Sequence, residues 1–170
     1  MGRSGNIILF ISFVITQITL SSLLDFGPLL FISVYPLFLL TRPANTSINS
    51  LLLWAFAMGM VVDYFTNSIM GINSAAALVM TLFQFRILRM VSRKGDFDSQ
   101  VRPGLRELGL IRFVSYIVAA LLIHHIVISL AESFGMAHFI YNLPRMLISL
   151  FVNTLIIMLI EFGVFYKNWR

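Results

Sequence analysis

One aspartate lies inside an apolar stretch, in the segment MGMVVDYFTNSIMGINSAAA, Met58 to Ala77. An ionisable group among residues suited to lipid is a functional-site hypothesis by default, because a carboxylate at a membrane helix centre costs roughly 2.5–3.5 kcal/mol. Gly59, Asp63 and Asn67 recur at four-residue spacing, which puts them along one helix face beside Thr66. Gly59 permits a second backbone to approach closely. The small and polar residues Gly71, Asn73, Ser74, Ala75, Ala76 and Ala77 follow. The pattern therefore predicts a tight helical hairpin. Asp63 accepts hydrogen bonds from the turn or from the backbone at the start of the next helix, where the dipole favours an anion. Proton or ion handling is the sharper alternative, and contact with a partner protein a third.

The remaining polar groups offer little catalytic chemistry. His124 and His125 are adjacent, so they project about 100° apart on a helix and lack the i, i+4 spacing of a zinc-binding helix. They read as histidines bonded to buried neighbours. Ser149 and Asn153 share a face suited to interhelical hydrogen bonding. Arg145 is expected to snorkel or to pair with Glu132 or Asp63, and Glu161 to pair with a loop arginine. Asp96 and Asp98 lie beside basic residues in an open polar loop. Cysteine is absent, which excludes disulfides and thiolate chemistry. No serine-hydrolase elbow, HExxH pair or phosphate loop is present.

These groups must be carried by membrane helices. Of the 170 residues, 59% are hydrophobic and 11% charged, against about 25% charged in soluble domains. Six spans are expected in one transmembrane domain, at about 6–24, 27–40, 50–66, 69–91, 108–130 and 143–166. The second is short and contains Pro28 and Pro36, so a tilted or re-entrant piece competes with a full crossing. Pro144 falls at the start of the last span, where a missing N–H is harmless. The basic loop 92–107 and its flanks carry Arg86, Arg89, Arg93, Lys94, Arg102, Arg106 and Arg112, and so should be cytoplasmic. With six crossings both termini are cytoplasmic, and of the 12 basic residues only Arg145 falls on the other side. Without the second crossing Arg3 would also lie outside. The bland function of the loop is topology and contact with anionic lipid; the sharper one is docking of a cytoplasmic partner.

The pattern Gly59-x3-Asp63-x7-Gly71, with Ala75 four residues on, resembles the MreD family of bacterial rod shape-determining membrane proteins. VYPLFLLTRP, Val34 to Pro43, and RILRM, Arg86 to Met90, resemble that family's second span with its turn and the exit of its fourth span. The resemblance is strongest from about Gly27 to Lys94. It implies an all-α fold of six helices, similar to the substrate-binding components of energy-coupling-factor transporters, in the bacterial cytoplasmic membrane. It also implies a non-enzymatic scaffold with no cofactor and no catalytic residues. The implied partners are MreC, directly, and an elongation complex with a class B penicillin-binding protein, RodA and MreB; a homodimer is a further possibility, and nucleic acid is not implied. The alternative is a vitamin-type binding or transport subunit. The first span, Asn6 to Leu24, lacks the Ala-x3-Ala pair that such subunits use for docking, which lowers that alternative.

Overall fold

The computed structural model describes residues 3–23, 29–66, 69–92, 101–133 and 136–166. The protein is all-helical, with no strand among the described residues. In chain order the helices are α1 (Arg3–Leu23), α2 (Pro36–Leu40), α3 (Ile48–Phe65), α4 (Ile72–Val91), α5 (Leu105–Leu108), α6 (Leu110–Ser133) and α7 (Met136–Ile160). A π-helical turn, Glu161–Tyr166, continues α7. Five of these, α1, α3, α4, α6 and α7, are long and apolar enough to cross a membrane, so the chain has the build of a multi-pass membrane protein.

The central layer is α4 against α6. α3 packs on α4, and α7 on α6. α6 and α4 are the most buried of the long helices, and α1 the least. Phe113, Tyr116, Ile117, Ala120 and Leu121 of α6 meet Ala77 and Met80 of α4 in one core with Leu37–Leu40 of α2. Outward faces carry bare apolar side chains such as Ile8, Leu53, Ile111 and Leu159, as lipid contact requires.

The second expected span is where sequence and structure part. Residues 27 and 28 lie outside the described residues, and 29–40 do not form one helix: residues 30–34 are irregular, and α2 is a single short helix. Pro36 starts α2 at a first-turn position, where its missing N–H costs no helical bond, and it cannot lie in the interior of a helix continued from residues 30–34. The segment nevertheless runs antiparallel to α1. Val34 N–H donates to Gln17 Oε1 at 2.8 Å, and Arg42 Nη1 donates to Asn6 Oδ1 at 2.7 Å. Gln17 and Asn6 are about 16 Å apart along an α-helix. The chain from 34 to 42 therefore returns to the end of the bundle where α1 begins. We call this the basic end, because Arg86 and Arg89 near the end of α4 and Arg102 and Arg106 before α6 belong to it.

Two other differences concern boundaries. α7 begins at Met136, not Leu143, so Pro144 sits inside the helix rather than in its first turn. The polar residues His138, Tyr141 and Asn142 conceal this start from a hydropathy reading. The stretch before α6 forms the separate α5, with Leu105 and Leu108 buried, and Gly109 at φ 75° breaks it from α6. Residues 93–100, with Arg93 and Lys94, lie outside the described residues.

The α3–α4 hairpin is set by Gly59. A Cβ placed there would lie 2.8 Å from the carbonyl carbon of Asn73, and closer still to the backbone of Ser74. No rotamer can relieve a collision with backbone. Gly59→Ala is therefore expected to force the two helices apart and cost about 1–3 kcal/mol. Ala75→Leu, at an exposed site on α4, is expected to change stability by under about 0.5 kcal/mol. Denaturant unfolding in detergent would measure both; equal effects would refute the close approach.

Candidate functional site

The stretch 31–35 lies between α1, α6 and α7, with Phe31 half-buried and residues 32–35 buried. Its peptide groups are bonded by side chains. Phe31 N–H donates to Ser149 Oγ at 3.0 Å, and Ser33 N–H to Asn153 Oδ1 at 2.9 Å. Asn153 Nδ2 donates back to Phe31 C=O at 3.0 Å. From the other side, Gln17 Oε1 accepts from Val34 and Tyr35, while Gln17 Nε2 donates to Ile32 C=O at 2.8 Å and to Ser21 Oγ at 2.9 Å. Gln17, Ser149 and Asn153 are all buried. Broken backbone is tolerated at membrane depth only when it is satisfied in this way.

Asn153 is also the first member of a longer hydrogen-bonded chain. Its second Nδ2 proton faces His125 Nε2 at 3.0 Å, which makes that nitrogen an acceptor and leaves the proton on Nδ1. His125 Nδ1 lies 3.4 Å from His124 Nδ1. His124 Nε2 lies 2.6 Å from Tyr35 Oη. The Tyr35 hydroxyl donates to Asn73, with C=O at 3.1 Å and Oδ1 at 3.3 Å. Asn73 Nδ2 donates to Asp63 Oδ1 at 2.9 Å. The contacts run in one line from α7 through α6 and the broken segment to α4 and α3, and the line ends on the carboxylate.

Asp63 is fully buried and receives three backbone donors as well: Gly71 N–H at 2.9 Å, Asn73 N–H at 3.1 Å and Ser74 N–H at 3.4 Å. It thus caps α4 from a neighbouring helix, satisfying N–H groups that have no partner within α4. Gly71, the formal cap, has φ 96° and no side chain to do so. The carboxylate is an acceptor at the positive end of a helix, where a negative charge is stabilised.

The other residues singled out in the sequence separate into groups. Asn67 lies outside the described residues, and Ala75 is exposed on α4. Arg145 Nη1 donates to Glu132 Oε2 at 2.9 Å, not to Asp63. Arg102 leaves the loop cluster: its Nη1 donates to Glu161 Oε1 at 2.8 Å, Nη2 donates to Oε2, and its guanidinium stacks 4.0 Å over Phe165. Glu161 also accepts from Leu105 N–H at 3.1 Å. That pair fastens α5 to the π-helical turn and is a structural latch, not part of an open basic surface. Arg86, Arg89 and Arg106 are exposed.

Sequence reasoning missed Gln17 and Tyr35. Gln17 had a readable signal, as an amide in the middle of the first apolar run; Tyr35 had only its place before Pro36. No family model, curated protein or solved structure matches the chain.

Asp63→Ala leaves buried donors without a partner and is expected to cost about 3 kcal/mol or more in detergent unfolding. Asp63→Asn retains one acceptor oxygen and is expected to lose about half as much. Equal stability of both variants and the parent would contradict the capping role.

Proposed function

We propose that this chain is a non-enzymatic membrane scaffold of the bacterial cell-elongation complex, an MreD-like partner of MreC in the cytoplasmic membrane. The supporting observation is the hairpin: Gly59, Asp63 and Gly71 serve one geometry, through a backbone contact, a side-chain cap and a left-handed turn. Gln17, Ser149 and Asn153 are likewise bonded to the broken backbone, and Asn73 to Asp63, which is positioning work. The irregular segment 29–42, returning to the basic end, supports a six-crossing topology in which the second crossing is a broken element rather than a helix. With the basic end cytoplasmic, α1 starts and α7 ends on that side. The outer hairpin then exposes Tyr64, Phe65, Ile69 and Met70, an apolar and aromatic cluster suited to the membrane interface and to a membrane-anchored partner.

One observation favours a second reading, a vitamin-type binding or transport subunit. Gln84 is fully buried on α4 with both amide atoms unpartnered, and the buried hydroxyl of Thr81, one turn earlier, is unpartnered as well. A polar ligand in the bundle would satisfy them.

Co-purification from membranes with the cognate MreC separates the two. The scaffold reading expects a stable complex from the parent chain, weakened by Gly59→Ala, with no tight binding of a vitamin. Failure to associate with MreC would overturn it, and nanomolar vitamin binding would establish the other.

A further inference from the structure

Arg42 is buried at the basic end, only 7% exposed. Its Nη1 donates to Asn6 Oδ1 at 2.7 Å, and its plane lies 4.1 Å over the Phe38 ring. Nε and Nη2 have no partner. Together they form one edge of the guanidinium, the edge that grips a carboxylate or phosphate with two parallel bonds.

The helix starts nearest to Arg42 in the chain and in contact carry no counter-charge. Asn6 lies in the first turn of α1, and α3 begins shortly after Arg42 at Ile48. Neither helix has an acidic residue in its first turn. Each N-terminus carries roughly half a positive charge. The carboxylates of the described residues are engaged or distant: Glu161 holds Arg102, Glu132 holds Arg145, Asp63 caps α4, and Glu107 is exposed beside α6. A buried cation without a counter-charge is strongly unfavourable. α1 also exposes Ile7, Ile8 and Ile11 next to this corner, an apolar wall for acyl chains.

We propose that the Nε–Nη2 edge of Arg42, with the N-terminus of α1, binds the phosphate of an anionic phospholipid in the leaflet at the basic end. The shared chemistry is a phosphate group; the acyl wall assigns it to a lipid rather than to free phosphate. Both nitrogens are buried, so the headgroup displaces the side chains that cover them. The site is independent of the scaffold reading.

Purified protein in neutral detergent would be titrated with phosphatidylglycerol, phosphatidylcholine and inorganic phosphate while thermal unfolding is followed. Native mass spectrometry would count retained lipid. The expected result is stabilisation by phosphatidylglycerol alone, with one molecule retained by the parent chain. Arg42→Gln weakens half-saturation about ten-fold, as loss of a two-bond charged contact implies. Arg42→Lys keeps the charge but loses the fork, and weakens it similarly. Arg86→Gln with Arg89→Gln, both exposed, leaves it within about two-fold. Equal stabilisation by phosphatidylcholine, saturation by inorganic phosphate, or dependence on Arg86 and Arg89 instead of Arg42 would each overturn the proposal. The native spectrum of the parent chain decides even where Arg42 variants do not fold, since no retained phosphatidylglycerol also overturns it.

Discussion

The bundle depends on how it satisfies five residues of non-helical backbone at 30–34. An unpaired peptide group in hydrocarbon costs several kcal/mol. Asn153 and Ser149 from α7 and Gln17 from α1 remove that cost by supplying donors and acceptors from opposite sides. α1 and α7 are the less buried long helices, and their apolar surfaces gain little from packing in lipid. Their polar side chains add a tie to the α4–α6 centre through the broken segment, beside the direct packing of α7 on α6.

From that joint the constraint spreads along one line of hydrogen bonds. Asn153 meets His125, His125 lies beside His124, and His124 meets the Tyr35 hydroxyl, which donates to Asn73. Asn73 then meets Asp63, the acceptor-only end of the line. The carboxylate thus has a reason to be where it is: it caps α4 and terminates the line of polar contacts. The amide of Asn73 separates Tyr35 from Asp63, so the same line is a framework rather than a relay that passes protons to the carboxylate. At the basic end a second, separate fastening, Arg102 with Glu161, holds α5 against the π-helical turn.

The sequence made much of this legible, and the limits have physical causes. Long apolar runs announce membrane helices because lipid imposes length and composition on them. Gly59 and Asp63 announce the hairpin because close approach and burial of charge each restrict residue choice. The broken second segment was ambiguous because hydropathy reports burial, not backbone conformation, and an irregular buried stretch is as apolar as a helix; Pro36 marked the break without fixing its extent. Asn153 was recognised as a bonding group, but its partner was expected on a helix. That its partners are the peptide groups of Phe31 and Ser33 is a long-range fact that no local spacing records. That Glu161 pairs with a loop arginine was readable, but which arginine was not, because Arg102 and Glu161 are separated by the whole of α6 and α7.

The most direct measurement is amide hydrogen exchange in the intact protein, comparing the parent chain with Asn153→Leu. If side chains carry the broken segment, the parent chain protects Phe31, Ser33 and Val34 to a degree comparable with the α6 core, and Asn153→Leu loses protection there by about ten-fold or more while α4 and α6 keep theirs. Protection at Phe31 and Ser33 that is absent in the parent chain, or unchanged in Asn153→Leu, would contradict it.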